Sequence, residues 1–430
     1  MGGKKRSSGE KHGDILVGLD LGATKTSVLI AELEEGALRI IGMGMSPAVG
    51  MKHGVVVNIE DTVTSIVQAV EAAERMADVQ IESAFASIAG DHIRSVNSKG
   101  MIAVGRFRNG GGNKISRDDI QRVIETAKTI SLPSDREILH VIPQDFLVDD
   151  RDGFRDPLGI VGTRLEANVH IITAALASAQ TIYHCLDQAG IELEDLVLQP
   201  LASNLAVLSP DDRELGVALV NIGGGTSDLA VFYDGSIRYT SVVNLGGENV
   251  TRDLAHGLRL PKNEAEQLKL SHGCAHAALI SDNTPVRIFG YANHSDRQVA
   301  PDVICAVIQP RMEEIYAALL KELHLSECYH RLTAGMVLTG GASLIPGAVE
   351  LAEEIFNMPV RLGRPAGIEG MKELVHSPVY STNIGLLLYG RQQYGAVNQA
   401  RSKKTKQRHR QLRLQETRFQ GFKRWLADVF

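Results

Sequence analysis

The stretch 215–232, LGVALVNIGGGTSDLAVF, limits most strongly what this chain of 430 residues can fold into. Two apolar runs, Val217–Ile222 and Leu229–Phe232, enclose three successive glycines, which predicts a hairpin with a glycine-rich turn at its tip. Because glycine has no Cβ, the backbone of such a turn can lie directly against a ligand. Consecutive free N–H groups form a nest that binds anions, usually phosphate. A glycine-rich turn without any ligand explains this stretch, taken alone, equally well.

A second stretch with the same pattern favours the phosphate interpretation. Residues 15–30 read ILVGLDLGATKTSVLI, an apolar strand, a polar glycine turn and another apolar strand. Superposing the two stretches places Asp20 and Gly22 on Asn221 and Gly223. Two such hairpins indicate a duplicated domain whose halves face each other across a nucleotide cleft. A third glycine turn, VLTGGASLIPG at 337–347, also follows an apolar strand.

Composition and residue spacing exclude several other classes of protein. An apolar content of 44% and a charged content of 22% are ordinary for a globular protein with a sizeable core, and the length fits about two to three domains. The net charge of −6 gives no general case for nucleic-acid binding. The sequence has no Walker A loop, dinucleotide-binding fingerprint, HExxH pair, CxxC pair, secretory signal or membrane-spanning run. Four scattered cysteines favour a reducing compartment: Cys185, Cys274, Cys305 and Cys328.

The three glycine turns together resemble the two phosphate motifs and the adenosine motif of the actin superfamily. A compact unit at 90–165, inserted between strands of the first half, narrows this resemblance to the FtsA family of bacterial cell division proteins. The segments QPLASNLAVL, NLGGENVT and YSTNIGLL, which begin at 199, 244 and 380, are similar to the family's connecting helices and outer second lobe. The resemblance covers residues 14–392 and the tail.

The resemblance implies an α/β protein with a duplicated actin-like ATPase fold, in which two lobes enclose a nucleotide cleft. Its first lobe carries an inserted subdomain of the SHS2 type, and a C-terminal amphipathic helix follows a basic linker. The expected divisions are a disordered N-terminus (1–13), first-lobe core (14–89 and 166–209), insert (90–165), second-lobe core (210–245 and 308–380), outer second lobe (246–307), connecting helix (381–396), linker (397–413) and tail helix (414–430).

The resemblance also implies ATP and Mg²⁺ as ligands. Asp20 is expected to hold Mg²⁺ through water, because magnesium sheds its hydration shell reluctantly. Glu266 and Lys269, which lie three residues apart on one helix face, are expected to contact the ribose, although a solvated ion pair explains them as well. The expected ATP-binding residues are Gly22, Ala23, Thr24, Lys25, Gly223, Gly224, Gly225, Thr226, Gly247, Glu266, Lys269, Gly340, Gly341 and Ala342.

One position departs from the superfamily pattern. Asn221 stands where an aspartate is usual, and a neutral amide adds no second charge near Mg²⁺ and does not act as a base toward water. Phosphoryl transfer depends on positioned charge and an oriented nucleophile, so we expect tight ATP binding with very slow or undetectable hydrolysis. Gln199 is the candidate catalytic residue for orienting a water. An ATP-consuming enzyme of the same fold, such as a sugar kinase, and a pilus-assembly type of scaffold are the alternative functions.

The tail indicates membrane binding. Residues 398–413 contain seven Lys or Arg and no acidic residue, which is typical of a disordered basic linker. An amphipathic helix with aromatic residues and flanking cations follows, the pattern of a helix that lies in a membrane interface. A helix that docks on its own core, or in a groove of another protein, is the alternative. The expected membrane-binding residues are Phe419, Phe422, Lys423, Arg424, Trp425, Leu426, Val429 and Phe430.

The resemblance further implies partners and a location. The acidic, apolar C-terminal peptide of the tubulin-like protein FtsZ is expected to bind the outer second lobe, where Arg297 is either a partner contact or an ordinary solvated arginine. Three further kinds of contact are expected: self-association into filaments, binding of other division proteins through the insert, and contacts with anionic lipid. Binding to nucleic acid is not expected. The protein is expected to be a peripheral membrane protein on the cytoplasmic face of the bacterial plasma membrane, at the division site.

Local patterns predict individual elements. A helix is expected from Asp61, capped by Asp61 or Thr62, and another from Ser116 to Ile130 with a capping box to Asp119. The other expected elements in the insert and the outer lobe are a strand pair around Ser98-Lys99-Gly100, strands at Glu137–Phe146 and near Leu158–Gly162, and a strand at Ala278–Ile280.

Overall fold

A computed structural model describes residues 14–34, 36–105, 114–288, 297–371 and 375–394. The strands are β1 Asp14–Leu21, β2 Lys25–Glu34, β3 Ala37–Pro47, β4 Met51–Lys52, β5 Val55–Val56, β6 Ser83–Ile88, β7 Arg94–Ala103, β8 Arg136–Val148, β9 Arg151–Phe154, β10 Arg164–Ala175, β11 Glu192–Leu198, β12 Val217–Ile222, β13 Ser227–Tyr233, β14 Ser236–Val243, β15 Val286–Ile288, β16 Arg297–Val299, β17 Met336–Thr339 and β18 Val360–Leu362. The helices are α1 Ile59–Ala77, α2 Arg117–Lys128, α3 Leu176–Gln188, α4 Gln199–Val207, α5 Pro210–Leu215, α6 Gly247–Gly257, α7 Lys262–His272, α8 Pro301–Leu325, α9 Ala348–Phe356 and α10 at 381–394.

Two five-stranded sheets with the same topology form the centres of the two lobes. The first has the order β3-β2-β1-β6-β11 and the second the order β14-β13-β12-β17-β18. In each sheet the first three strands are an antiparallel meander, and the remaining two run parallel to the first strand. This repetition confirms the duplicated fold predicted from the two hairpins.

The two glycine-containing hairpins lie at the centres of these sheets. All six residues of β12 are buried, as are six of the eight residues of β1. Strands buried on both faces read as continuous apolar runs, which explains why the sequence around each turn is so uniformly apolar. The turns project from the same end of each sheet, and this position brings them to the boundary between the lobes.

Two helices, α4 and α10, cross between the lobes. They touch where a Cβ on Gly385 would lie 1.9 Å from the carbonyl oxygen of Ala202, so only glycine permits this approach. The Asn383 amide of α10 donates to the carbonyls of Gly18, at 3.2 Å, and Ser27, at 2.9 Å. These contacts attach α10 to the hairpin of the first lobe.

The insert is a four-stranded sheet, β7-β10-β8-β9, with α2 packed on it. The capping box predicted at Ser116 is confirmed, since its side chain accepts from the Asp119 amide and the Asp119 carboxylate accepts from the Ser116 amide. The insert sheet extends beyond the expected limit at 165, because β10 continues to Ala175 as an inner strand. Later residues of β10, such as Ile172, pack into the core of the first lobe.

The outer second lobe consists of α6, α7, the β15–β16 hairpin and the first turns of α8. Helix α8 is continuous from Pro301 to Leu325 and crosses the expected division at 307. The strand predicted at Ala278–Ile280 is wrong: Ala277–Leu279 is a 3₁₀ turn begun by the His276 side chain, which accepts from the Ala278 amide.

Three further local predictions are corrected by the structure. The strand pair around Ser98-Lys99-Gly100 is one continuous strand, β7, whose whole length pairs with β10. The segment near Leu158–Gly162 contributes only an isolated bridge from Val161 to Lys114. Helix α1 begins at Ile59, because Asn58 rather than Asp61 or Thr62 supplies its cap. In each case a contact distant in sequence, or a nearer capping side chain, outweighed the local pattern.

None of the helices within the described ranges is both long enough and apolar enough to cross a bilayer. The predicted N-terminal segment 1–13, the basic linker 397–413 and the membrane helix 414–430 lie outside the described residues.

Candidate nucleotide-binding cleft

The three glycine turns predicted from sequence surround one cavity between the lobes. The first hairpin lines one wall, the second hairpin the opposite wall, and the third turn with the start of α10 closes the side. The lining residues are Asp20, Leu21, Gly22, Ala23, Thr24, Lys25, Gly54, Ala89, Gln199, Asn221, Gly223, Gly224, Gly225, Thr226, Gly340, Gly341, Pro378, Val379 and Thr382. Of the expected ATP-binding residues, the cavity lining lacks Gly247, Glu266, Lys269 and Ala342.

The two hairpin turns touch each other at one end of the cavity. A Cβ on Gly224 would lie 2.3 Å from Cγ2 of Thr24, and one on Gly225 would lie 2.7 Å from the Cβ of Ala23. The His53 imidazole Nδ1 lies 3.0 Å from the Gly225 carbonyl oxygen. The backbone of the second hairpin therefore lies directly against side chains of the first hairpin. A residue larger than glycine in the second turn would prevent this approach.

Asp20 is a buried carboxylate held in place by two donors. Its Oδ1 accepts from the Ser87 hydroxyl at 2.7 Å and from the Gln199 amide at 2.9 Å. Burial raises the pKa of Asp20, and these two hydrogen bonds and the nearby Lys25 act in the opposite direction. The carboxylate therefore faces the cavity in a fixed orientation.

Asp228 is a second acid at the cleft, and it was not among the expected site residues. It lies on β13 opposite Asn221, is 1% exposed, and neither carboxylate oxygen has a hydrogen-bond partner among the described residues. Burial raises the pKa of Asp228 to about 7, and the negative charge of Asp20 contributes to this rise. The sequence signal that could have identified it is an acid in an otherwise apolar strand shortly after the glycine turn.

Lys25 supplies the cation of the cleft. Its ammonium donates to the Val379 carbonyl at 3.0 Å and lies 4.6 Å from the centre of the Tyr380 ring. Burial lowers the pKa of Lys25 to about 8, and Asp20 opposes this shift. A buried cation beside a glycine turn is suited to binding phosphate oxygens.

The third turn lies beside the second hairpin because β17 pairs in parallel with β12, which sets Thr339 opposite Asn221. Gly340 has a φ of +88°, and a Cβ there would lie 2.4 Å from Asn221 Oδ1. The hydroxyls of Thr339 and Ser381 are 2.6 Å apart and connect the turn to α10. Glycine is therefore required at this position for two reasons: its φ is positive, and a Cβ would collide with the Asn221 side chain.

Glu266 and Lys269 form an ion pair on α7 rather than part of the cavity lining. The buried Lys269 ammonium donates to Glu266 Oε2 at 2.7 Å, to the Thr251 hydroxyl at 2.9 Å and to the Gly247 carbonyl at 3.1 Å. Gly247 in turn donates its N–H to the Gly223 carbonyl at 2.9 Å. These bonds attach α7 to the second hairpin, and a contact with the ribose stays a prediction.

Gln199, the candidate catalytic residue, is buried and lines the cavity, with its amide donating to Asp20. Arg297, the candidate partner residue, opens β16 on the exposed outer lobe and donates a hydrogen bond to the Leu258 carbonyl. Neither contact tests the role predicted for the residue.

The donors present fit one magnesium ion bound together with phosphate. Asp228 has both oxygens free of partners within the described part of the chain, and the bonds that Asp20 accepts from Ser87 and Gln199 both go to its Oδ1. Mg²⁺ prefers one or two carboxylates together with phosphate oxygens and water. No cluster of three or more His, Cys, Asp or Glu suited to a metal occurs among the described residues.

Duplicated sheets whose glycine hairpins face one cavity define the chain as an actin-like protein with two lobes. Solved structures agree with this class. The PilM–PilN type IV pilus biogenesis complex matches with a TM-score of 0.63 at 15% identity, covering 87% of this chain and 98% of that one. MreB5 of Spiroplasma citri bound to AMPPNP matches with a TM-score of 0.55 at 11% identity, covering 91% and 100%. At these identities the similarity concerns the fold alone.

Sequence comparison gives the family. The sequence family model for cell division protein FtsA matches residues 218–385, and the family model for the SHS2 domain inserted in FtsA matches residues 90–173. FtsA of Pseudomonas aeruginosa is 43% identical over 383 residues, which cover 89% of this chain and 90% of that protein. FtsA of Escherichia coli K12 is 36% identical over 388 residues, covering 88% and 91%. The chain belongs to the FtsA family of cell division proteins, which confirms the predicted resemblance.

Proposed function

We propose that this chain is an ATP-binding adaptor that anchors FtsZ filaments to the cytoplasmic face of the plasma membrane during division. The observation that carries the nucleotide part is the meeting of two glycine hairpins, the Lys25 ammonium and the buried Asp20 at one cavity, with the buried Asp228 of β13 opposite Asn221. The membrane and partner parts rest on the tail sequence and on membership of a cell division family.

The triphosphate is proposed to lie between the two hairpins. The N–H groups of Gly22 and Gly223 close their own turns by donating to the carbonyls of Lys25 and Thr226. Later N–H groups of the two turns, in 23–25 and 224–226, would bind the phosphate oxygens from opposite lobes, and the Lys25 ammonium would neutralise part of the charge. Asp20 and Asp228 would hold Mg²⁺, which supplies charge neutralisation of the β and γ phosphates. A solved structure of MreB5, of the same fold, is bound to AMPPNP, which supports a nucleotide as the ligand of this cleft.

The nucleotide is proposed to act as a structural ligand that is hydrolysed very slowly. The Gln199 amide donates one N–H to Asp20, which fixes the side chain and leaves its carbonyl oxygen and second N–H to orient a water. Asn221 is neutral and buried, so it provides no base at the second hairpin. ATP that binds only the closed, folded lobes also stabilises that state by mass action.

The tail is proposed to bind anionic lipid reversibly. Burying one large apolar side chain contributes about 1.5–3 kcal/mol, and each cation near an anionic leaflet adds about 1 kcal/mol. Folding an isolated helix of this length is marginal and offsets part of this gain. One tail therefore binds weakly, and self-association of the chain would strengthen attachment through several tails at once.

The exposed outer lobe that contains Arg297 is proposed to receive the acidic C-terminal peptide of FtsZ. The insert is proposed to bind other division proteins, and the two lobes to contact further copies of the chain in a filament. The coverage of about nine-tenths of the FtsA relatives supports a similar domain content.

Recruitment of FtsZ filaments to vesicles tests the proposal. Purified full chain, FtsZ with GTP, and vesicles containing anionic lipid are mixed and imaged, with and without Mg²⁺ and ATP. We expect filaments on the vesicles with the full chain and none after deletion of Gln415–Phe430. A second variant replaces only Trp425 and Phe422 by serine, which preserves the charge of the tail and removes its largest apolar surface, and we expect it to lose recruitment as well. Filaments recruited equally by the deleted form would contradict the membrane assignment.

A further inference from the structure

The insert contacts the second lobe through a set of hydrogen bonds to β14, the edge strand of the second sheet. Side chains of the insert donate to three backbone carbonyls of this strand: Ser95 to Thr240 at 3.0 Å, Asn97 to Arg238 at 3.1 Å and Gln144 to Ile237 at 2.8 Å. In return the Ser236 hydroxyl donates to the Gln144 carbonyl at 2.9 Å. We call these residues, with the two pairs described next, the insert–β14 latch.

Two side-chain pairs complete the latch. The Arg238 guanidinium and the Asp145 carboxylate form an ion pair at 2.7 Å. His170 is 1% exposed and lies between the Asn97 side chain, at 2.7 Å, and the Thr240 hydroxyl, at 3.2 Å. Hydrogen bonds and an ion pair thus connect the insert to β14, beside apolar packing of Val242 against the core of the first lobe.

The edge position of β14 explains why this contact forms. An edge strand presents unpaired carbonyl and N–H groups, which need partners when they are covered. The register of β13 and β14 shifts at Arg238, and such bulges redirect backbone groups at sheet edges. The insert supplies side-chain donors to these groups where the sheet has no further strand.

On both sides of the latch, the strands that form it connect to residues at the nucleotide cleft. On β14, Val242 and Val243 pair with Asp228 and Ser227, which begin β13 behind the second glycine turn. On the insert side, β7 follows Ala89, which lines the cavity, and Asp91, which accepts from the Asn244 amide at 2.8 Å. A rotation that separates the glycine turns must therefore displace β14 relative to β7 and β8.

We propose that the insert–β14 latch couples nucleotide binding in the cleft to the orientation of the insert. This inference rests on the proposed ATP function and adds a means of regulating it. With the latch closed, the lobes are held in the position in which both hairpins reach one triphosphate. With the latch open, the insert is free to reorient and the cleft loses affinity for the nucleotide.

Thermodynamic linkage predicts how a partner that binds the insert would change the affinity for nucleotide. If nucleotide favours the closed latch by some factor, a partner that draws the insert away from β14 lowers nucleotide affinity by the same factor. Such a partner would bind the face of the insert that the latch covers, which is rich in amide and hydroxyl groups. The nucleotide state would then determine how readily the insert is available.

The test uses the full chain with Mg²⁺ and a fluorescent ATP analogue. The latch variant combines Asn97→Ala with Gln144→Ala and removes two of the three donors to β14. The control variant is Lys99→Ala, which lies on the same strand, is exposed and pairs with Glu166, a residue that Arg164 also contacts. Thermal unfolding of each variant establishes that it is folded before binding is measured. We expect the latch variant to bind at least about fivefold more weakly, the lower range of measured couplings, and the control to match the wild type.

Hydrogen exchange on the unaltered chain gives a second measurement that does not depend on a variant folding. We expect Mg²⁺ and ATP to slow amide exchange in residues 94–99 and 236–243. Equal affinity of a folded latch variant and the wild type, or unchanged exchange in both segments when ATP is bound, would overturn the coupling while leaving ATP binding in place. Failure of the wild type to bind the ATP analogue would instead contradict the proposed function, and the coupling with it.

Discussion

Gly224 of the second lobe lies against Thr24 of the first, so close that a Cβ on Gly224 would come within 2.3 Å of Thr24 Cγ2. This contact joins the two glycine hairpins across the cleft. The same Cβ would also lie 3.0 Å from Thr24 Cβ, so a change of rotamer at Thr24 does not remove the conflict. The approach of the lobes thus depends on the absence of a single methyl group.

Gly224→Ala is therefore expected to hold the lobes apart and to weaken ATP binding at least tenfold, which corresponds to about 1.4 kcal/mol. Titration with a fluorescent ATP analogue in the presence of Mg²⁺ measures the change. Gly105→Ala is the matched control, because a Cβ at Gly105 has nothing within 4 Å. Unchanged affinity in Gly224→Ala would show that the closed contact is not needed for binding.

Lys25→Met is expected to weaken ATP binding by about 10- to 150-fold. A hydrogen bond to a charged group contributes about 1.5–3 kcal/mol, and the buried ammonium of Lys25 is positioned to make one to phosphate. Lys52→Met, an exposed lysine of β4 in the same lobe, provides a control of equal charge change. Equal losses in the two variants would indicate a general effect of net charge rather than a site contact.

Asp228→Asn is expected to stabilise the protein without ligand while weakening its binding of Mg²⁺ and ATP. The carboxylate is buried without a hydrogen-bond partner in the described part of the chain. Burying an unpartnered charge costs more than burying an unpartnered neutral group, so a neutral side chain of the same shape removes that additional cost. Thermal unfolding with and without Mg²⁺ and ATP measures both effects, and exposed Asp152→Asn serves as the control. A variant that loses stability and keeps full binding would remove Asp228 from the site.

Asn221→Asp is expected to raise ATP turnover above that of the wild type, whose turnover should be very slow or undetectable. The substitution places a carboxylate at the second hairpin, where phosphoryl transfer benefits from charge near the metal and the attacking water. Phosphate release measured over hours compares the two proteins. Rapid hydrolysis by the wild type would contradict the proposed structural role of ATP.

Burial lowers the pKa of His170 to about 4, well below its ordinary value of 6.5. A group whose folded pKa is depressed contributes stability above its unfolded pKa, and that contribution is lost as the pH falls from about 6.5 toward 4. At about 1.4 kcal/mol per pH unit, the loss amounts to roughly 3 kcal/mol. Urea unfolding at several pH values should show this decrease, and His170→Gln should remove most of it. An identical pH dependence in both proteins would assign the decrease to other groups.

Much of the fold was predictable because its signals are local. The hairpins at Asp20 and Asn221 follow from apolar runs around glycine turns, and the capping box at Ser116 follows from four consecutive residues. The equivalence of the two hairpins also predicted the duplicated sheets, since each turn requires strands of the same arrangement on both sides.

The remaining features depend on contacts between residues far apart in the chain. Asp228 lies in an apolar strand, and only the approach of Asp20 from the other lobe makes it a site residue. His170 and Thr240 belong to different domains, so no spacing within the sequence joins them. The 3₁₀ turn at Ala277–Leu279 lies in a short apolar run, but its amides bond to His276 and Gln309 instead of a neighbouring strand.

Binding of one triphosphate by both hairpins would be seen in a crystal structure of the full chain with Mg²⁺ and AMPPNP. The expected result has the β and γ phosphates within hydrogen-bonding distance of backbone N–H groups in both Gly22–Lys25 and Gly223–Thr226, with the metal near Asp20 and Asp228. A nucleotide that contacts only one hairpin, or that lies outside the cleft, would contradict the account.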